Sequence, residues 1–154
     1  MDKREKCVIV GGGAAGLMCA ARLIKGGTVP LILEAGVRVG RKILVSGNGR
    51  CNLSNSGVNE GRYNAPEFVA PVLEKYPYSS VINWWKELGL VTRTDEQGRT
   101  YPYSNYAGSV LNVLLDSVSK AEILTSCPVK SVKKEGKFFK VEHEKGTVYA
   151  ENLV

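Results

Sequence analysis

The sequence predicts an α/β fold built on a parallel sheet, and three observations support this prediction. An apolar strand, CVIV (7–10), runs directly into glycines and a helix, and a second apolar strand, VPLILE (29–34), follows that helix. In a β-α-β unit the two strands are parallel, and the crossover that joins them is right-handed. Near the other end, KEG and EKG turns separate three strand-like segments. We therefore expect a parallel sheet joined to a β-meander.

The remaining elements follow from periodicity and from helix start and stop residues. Ala14–Lys25 carries small and aliphatic residues at helical spacing, and Gly26–Gly27 ends that helix. Two helices are predicted at 67–76 and 79–89, a pair of short strands around Gly98, and an amphipathic helix at 109–121. The predicted divisions of the domain, which spans 1–154, are a β-α-β unit (6–35), a polar loop (40–55), a helical middle (66–121), and a strand with a β-meander (122–154).

Length and composition restrict the class of protein. The 154 residues suit one domain, with 44% hydrophobic and 23% charged residues, as in ordinary globular proteins. No apolar run approaches the roughly 18–20 residues that cross a bilayer, so no membrane partner is expected. The basic start mimics a signal peptide, but Asp2 and Glu5 dilute it and three glycines interrupt the apolar part. We expect a cytoplasmic protein.

The cysteine, histidine and charge patterns argue against several kinds of site. Four cysteines without CxxC spacing and a single histidine favour neither a metal site nor a disulfide framework, so reduced and mostly buried thiols are expected. His143 lies between Glu142 and Glu144 and is expected at the surface. The net charge of +6 suits an anionic cofactor or nucleic acid. Because no aromatic-basic motif accompanies the charge, no nucleic-acid partner is expected.

The segment VIVGGGAAG (8–16) predicts a dinucleotide site. Gly11 permits a tight turn, Gly13 lets the backbone approach a pyrophosphate, and Gly16 lets the helix pack on the strand. Glu34 closes the second strand, where a carboxylate accepts hydrogen bonds from an adenosine ribose. A carboxylate there repels the 2′-phosphate of NADP, but it does not separate NAD from FAD.

The loop KILVSGNGRCNLSN (42–55) allows three interpretations. Asn48–Gly49 is typical of a type I′ hairpin turn. Cys51 would be the centre of a redox or metal site, but it has no second cysteine nearby in the sequence, which favours a packing role. Lys42 and Arg50 follow the ribose acid closely enough to reach an anionic cofactor, and guanidinium pairs well with phosphate. We predict that this loop is a lid on that cofactor.

Three blocks of the sequence carry a family resemblance: VIVGGGAAGLMCA with Glu34, GRKILVSGNGRCNLSN (40–55), and GRTYPYSNYAGSVLNVLL (98–115). With these blocks the chain resembles the BaiN/YhiN-type flavoproteins, also called aminoacetone-oxidase-family FAD-binding enzymes or NAD(P)/FAD-dependent oxidoreductases. The second block is the most specific of the three. The resemblance covers essentially the whole chain, but only about the first third of a typical family member.

The resemblance implies the N-terminal part of a Rossmann-like FAD/NAD(P)-binding domain of the glutathione-reductase-like class, incomplete at the C-terminus. Family members continue into an Ala-Thr-Gly-Gly motif and a C-terminal FAD segment, so the implied partner is that missing part or a second chain. The family's cofactor contacts fall here on the glycine turn with its acid, on the loop, and on one later backbone position: Gly11, Gly13, Ala15, Gly16, Glu34, Arg41, Lys42, Ser46, Gly47, Arg50, Cys51, Asn52 and Val129.

The predicted function is that of an FAD-dependent oxidoreductase acting on a small molecule, with NAD(P)H as a candidate electron donor. No side chain has a strong claim as an acid or base, so the catalytic residues stay unassigned. Two alternatives remain open. An NAD-dependent dehydrogenase fragment would share the glycine turn and Glu34, but it would not explain residues 42–55. The other alternative is a non-catalytic dinucleotide-binding module.

Overall fold

The computed structural model describes residues 3–154, which divide into two compact units. The first unit contains the described residues up to Lys42 together with Leu114–Val154, and the second contains Ile43–Val113. The division falls inside two helices, one at Arg41–Val45 and the other at Ala107–Ser117. Each unit has a sheet of its own.

The first unit is a six-stranded sheet with a helix, and it confirms the predicted α/β class. Its elements are β1 (Lys3–Val10), α1 (Ala14–Lys25), β2 (Leu31–Leu33), β6 (Glu122–Leu124), β7 (Val129–Glu135), β8 (Phe138–His143) and β9 (Gly146–Leu153). Strands β6, β2, β1 and β9 are parallel neighbours, and β9, β8 and β7 continue the sheet as an antiparallel meander.

The core of the first unit joins the parallel strands to the meander. Val8 and Leu31 are paired in register on β1 and β2, and both are buried. They belong to one apolar cluster with Val141 and Val148, which face each other across the meander. Each fully buried aliphatic side chain of this kind stabilises the fold by about 1.5–3 kcal/mol relative to exposure. The sheet is therefore held by hydrophobic contacts as well as by its ladders.

The second unit packs helices with a small antiparallel sheet. The elements are α2 (Arg41–Val45), β3 (Ser54–Asn55), α3 (Pro66–Lys75), α4 (Tyr78–Glu87), β4 (Thr92–Thr94), β5 (Arg99–Pro102) and α5 (Ala107–Ser117). Helices α2 and α5 each have residues in both units. The strand order is β3-β5-β4. The predicted helices and strands of this region are all present, with ends that differ from the prediction by a few residues. Trp85 is buried, whereas Trp84 meets it edge-on at the rim.

The hairpin interpretation of Asn48–Gly49 is wrong, although a turn is present at these two residues. The apolar run before it forms α2 rather than a strand, so there is no strand pair for a type I′ turn to join. The chain still reverses at Asn48–Gly49, since both residues are left-handed (φ 54° and 78°), Arg50 N donates to Gly47 O at 3.2 Å, and Cys51 N donates to Ser46 O at 3.0 Å. Ser46 Oγ donates to Ile43 O at 2.8 Å, which satisfies a carbonyl at the end of the helix.

The prediction of a surface position for His143 is also wrong. His143 is 8% exposed, and its Nδ1 lies 3.0 Å from Sγ of the buried Cys127. Side chains alternate along β8, so His143 shares the inward face with Val141 while Glu142 points outward and accepts from Ser131 Oγ. The flanking glutamates suggested exposure, but they lie on the other face of the strand or beyond its end. Burial lowers the pKa of His143, and the positive charges of Lys145 and Lys3 lower it further.

Three of the four cysteines are buried free thiols, as expected, and Cys19 is half-buried. Within residues 3–154, every helix falls short of the length and apolar content that a bilayer span requires.

We predict that replacing Gly16 with Ala destabilises the fold. A Cβ at Gly16 would lie 1.9 Å from the carbonyl oxygen of Gly11, so α1 would have to move off β1. Overpacking of this kind costs about 1–3 kcal/mol, measurable by urea unfolding. The matched control is Gly13→Ala, because a Cβ there meets nothing within 4 Å and φ is −81°. Equal unfolding free energies for the two variants would contradict the packing argument.

We predict that His143 makes stability fall as the pH drops below about 6.5, the value for an unfolded histidine. Because burial lowers the folded pKa, the unfolded chain binds the proton first, and unfolding is favoured over that range. The variant His143→Asn keeps an acceptor for the Cys127 thiol but does not titrate. Urea unfolding at pH 7.5 and pH 5 should show a smaller loss of stability for the variant than for the wild type. The same loss in both proteins would rule out this role.

Candidate functional site

The glycine turn lies at the carboxyl end of β1, where α1 begins. Gly11 has φ +104° and donates its N–H to Leu33 O at 2.8 Å, which ties the turn to β2. Gly13 is the N-cap of α1, and its carbonyl accepts from Leu17 N at 2.9 Å. Gly13 is exposed, and a Cβ placed on it would contact nothing within 4 Å. The first turn of α1 is therefore open to a ligand, with free N–H groups and the positive end of the helix dipole.

Gly12 is a residue of this turn to which the sequence analysis gave no role. It is buried, and a Cβ on it would lie 2.3 Å from Cγ1 of Val39. Its carbonyl accepts from Gly40 N at 2.8 Å, so residues 39–40 lie directly against the turn. The available signal was the glycine between Gly11 and Gly13, because the dinucleotide motif itself leaves that position free.

Glu34 is bound to the glycine turn through both carboxylate oxygens. Oε2 accepts from Gly12 N at 2.7 Å, and Oε1 accepts from Gly36 N at 2.6 Å. The acid therefore joins the turn after β1 to the bend after β2, a structural role that spacing alone did not reveal. Each carboxylate oxygen has a second lone pair, so the group keeps acceptor capacity for ribose hydroxyls. The residues present fit a dinucleotide.

The segment that leads to Val129 is attached to the same edge of the sheet. Glu34 N donates to Leu124 O at 2.8 Å, and Cys127 N donates back to Glu34 O at 2.9 Å. Ser126 N donates to Gly36 O at 2.8 Å, with Ser126 itself in a left-handed conformation. Val129 then opens β7. The first unit thus brings the end of this segment together with the acid and the glycine turn.

Three further predicted residues of the first unit are exposed. Ala15 lies in the first turn of α1, and Arg41 and Lys42 open α2. The side chain of Arg41 lies near Gly36, since a Cβ there would be 3.7 Å from Arg41 Cδ. The arginine is thus beside the bend that Glu34 holds.

The predicted loop residues of the second unit share one left-handed turn. Ser46 and Gly47 open it, Arg50 and Cys51 close it, and Asn52 is exposed beyond it. Arg50 Nε donates to Gly47 O at 3.3 Å, and its guanidinium carbon lies 4.6 Å from the centroid of the Tyr101 ring. Tyr101 is a second residue to which the sequence analysis gave no role. The feature of the sequence that could have pointed to Tyr101 is its position in the family block 98–115.

Cys51 is buried and has φ +58°. Burial raises the pKa of its thiol, although a hydrogen bond with Ser46 opposes this. A thiolate is the reactive form of cysteine, so a raised pKa opposes nucleophilic chemistry at Cys51. In the described part of the chain, no group of three His, Cys, Asp or Glu side chains is arranged to hold a metal ion.

Comparisons with known proteins agree with this geometry. The family model described as the HI0933-like protein Rossmann domain matches residues 5–154. The chain is 36% identical over 137 residues to a 3-dehydro-bile acid delta(4,6)-reductase of Clostridium scindens, covering 85% of this chain and 33% of the relative. It is 33% identical over 138 residues to a ribosomal RNA dihydrouridine synthase of Haemophilus influenzae, covering 87% of this chain and 34% of the relative. The chain thus spans about a third of the length of these relatives.

Solved structures support the fold alone. The Thermovibrio ammonificans THI4 structure matches with a TM-score of 0.66 and 13% identity, over 97% of this chain and 56% of that one. The L-proline dehydrogenase of P. horikoshii matches with a TM-score of 0.62 and 14% identity, over 99% of this chain and 52% of that one. The family match confirms the resemblance drawn from the three sequence blocks. Over residues 5–154, this chain belongs to the HI0933-like family and has its Rossmann domain.

Proposed function

We propose that this chain is the FAD-binding part of a flavin-dependent oxidoreductase. The observation that carries the proposal is the open N-terminus of α1 at Gly13, with the Glu34 carboxylate held beside it through Gly12. A helix N-terminus of this kind binds the pyrophosphate of a dinucleotide, and the acid binds its ribose. The loop at 42–55, within the family block 40–55, favours FAD over NAD, because an NAD site gives no reason for that loop.

Bound FAD supplies two-electron redox chemistry, while the protein supplies binding and orientation. In this proposal the first turn of α1 binds the phosphates, and Glu34 orients the ribose. Lys42 and Arg50 contribute positive charge to the cofactor, and Val129 contributes a backbone contact to adenine. NAD(P)H as electron donor and a cytoplasmic location belong to the same proposal.

The names of the relatives suggest the kind of substrate. A delta(4,6)-reductase of a 3-dehydro-bile acid and a dihydrouridine synthase both add two hydrogens across a carbon–carbon double bond conjugated with a carbonyl. We infer that this protein reduces such a bond, and we favour a small-molecule substrate over RNA. The two cases can be separated by offering the reduced enzyme a steroid enone or unmodified ribosomal RNA and measuring flavin reoxidation.

We predict that the complete polypeptide encoded by the gene is yellow when purified and releases FAD on denaturation. Isothermal titration of the cofactor-free protein should show tighter binding of FAD than of NAD. Tighter binding of NAD would favour the dehydrogenase alternative. A bound adenine nucleotide without turnover would favour the binding module. A colourless protein that cannot be reconstituted with FAD would refute the proposal.

We predict that Gly13→Ala weakens FAD binding about tenfold or more while leaving the unfolding free energy within about 0.5 kcal/mol of the wild type. The added methyl group meets no protein atom within 4 Å, but it occupies the approach of the pyrophosphate to the helix. Fluorescence titration with FAD measures the affinity. Normal affinity in this variant would mean that the phosphates bind elsewhere.

We predict that replacing Lys42 and Arg50 with Ala weakens FAD binding, by about tenfold for each charge-assisted hydrogen bond that the substitution removes. Lys120→Ala is the control, because that exposed lysine lies outside the predicted site. The same fluorescence titration applies. An affinity unchanged from the control would remove the loop from the cofactor site.

A further inference from the structure

Cys127 and His143 form a buried pair that the proposed function leaves without a role. Cys127 is fully buried and His143 is 8% exposed, and the thiol Sγ lies 3.0 Å from Nδ1 of the imidazole. The backbone N–H of Lys145 also donates to Nδ1, at 3.3 Å. A backbone amide N–H can only donate, so Nδ1 is the acceptor nitrogen and the neutral ring has its proton on Nε2. The structure therefore shows a neutral imidazole that accepts from a thiol and an amide.

The charged groups around His143 oppose a proton on its ring. Burial lowers the pKa of His143, and the positive charges of Lys145, in the turn after β8, and of Lys3, on β1, lower it further. Its register partners on β7 and β9 are Val129 and Gly146, which carry no charge. Each nearby carboxylate is paired with a lysine: Glu5 and Glu122 with Lys3, Glu142 with Lys140, and Glu144 with Lys130. Among residues 3–154, no carboxylate is bonded to the ring.

The turn after β8 holds the segment 125–128, which connects β6 to β7. Lys145 Nζ donates to Thr125 O at 2.8 Å, and Glu144 N donates to Pro128 O at 3.1 Å. The contact between the thiol and the imidazole lies between these two bonds in the sequence of the segment. The segment is thus fixed at both ends and near its middle.

The same segment holds the bend that carries Glu34. Cys127 N donates to Glu34 O at 2.9 Å, and Ser126 N donates to Gly36 O at 2.8 Å. Gly36 N in turn donates to Oε1 of Glu34 at 2.6 Å. Ser126 is left-handed (φ 48°), a conformation that a serine keeps only where its surroundings impose it. A movement of this segment therefore moves Gly36 and the amide that orients the carboxylate.

We propose that His143 is a positioning residue for Glu34, and that the dinucleotide site binds its ligand less tightly when His143 is protonated. This inference rests on the proposed function, and all of its residues belong to the first unit. A proton on Nδ1 turns the acceptor into a donor, which then faces the N–H of Lys145. The sulfur of Cys127 is only a weak acceptor. Protonation therefore breaks the contacts that hold the segment 125–128 and loosens the bend that orients Glu34.

The pH dependence of FAD affinity tests this proposal. FAD is titrated into the complete polypeptide at pH 7.5 and pH 5, for the wild type and His143→Asn, and circular dichroism checks that both are folded at each pH. The amide oxygen of Asn replaces Nδ1 as an acceptor but does not titrate. We expect the affinity to fall about fivefold or more at pH 5 in the wild type, a usual coupling between sites, and less than about twofold in the variant. Equal losses in the two proteins would overturn the proposal.

Two further variants separate positioning from general charge effects. His143→Leu removes the acceptor at every pH, so it should bind FAD about fivefold more weakly than the wild type at pH 7.5. Wild-type affinity in this variant would contradict the positioning role. Glu144→Gln is the matched control, because its exposed side chain pairs with Lys130 and the change leaves His143 in place. It should keep the wild-type pH dependence, and loss of that dependence would assign the effect to net charge and overturn the proposal.

Proton release by the wild type keeps the proposal testable if the buried substitutions prevent folding. Because coupling between two sites is reciprocal, FAD binding should displace protons from His143 at about pH 6. Isothermal titration in two buffers of different ionisation enthalpy measures this release, and its absence would overturn the proposal. A wild type that binds no FAD at pH 7.5 refutes the proposed function itself. A wild type that binds FAD without releasing protons refutes only the role of His143.

Discussion

The close approach of α1 to β1 at Gly16 is the constraint on which the candidate site depends. A methyl group at Gly16 would lie 1.9 Å from the carbonyl oxygen of Gly11. Only glycine at this position therefore lets the helix pack this closely on the strand. Because the helix lies this close, its first turn begins directly at the end of β1, and Gly13 becomes its N-cap. The N–H groups of that turn consequently face the edge of the sheet where the parallel strands end. This is the edge at which open α/β sheets bind ligands.

Glu34 also holds this edge of the sheet together, in addition to the close packing at Gly16. Its two carboxylate oxygens accept the amides of Gly12 and Gly36, and its backbone bonds both ways to the segment 124–127. A residue expected only as a ribose ligand is therefore also the link between three strand ends. The structural role has a consequence for mutagenesis: loss of the acid would remove the proposed ribose contact and would also leave the backbone N–H groups of Gly12 and Gly36 without an acceptor. Gly13 is the cleaner position for testing cofactor binding.

Local patterns predicted most of the elements, because they depend on neighbours in the sequence. The helix Ala14–Lys25 was predicted with its observed ends, since small apolar residues recur at helical spacing and Gly26–Gly27 stops it. The meander follows from its two turns. The prediction failed where two local patterns competed. Asn48–Gly49 is typical of a hairpin and does form a left-handed turn, but the preceding apolar run is helical, so that turn does not join two strands.

By itself, the sequence determined the β-α-β unit, the positions of its glycines and acid, and the family, because each rests on spacing within a short segment. The tertiary structure alone decided which distant residues meet. It placed His143 against Cys127, sixteen positions away, and Tyr101 beneath Arg50. It also packed Gly12 against Val39. These contacts arise when strands pair and helices pack, and a residue's own neighbours in the sequence carry no information about which side chain will lie opposite it.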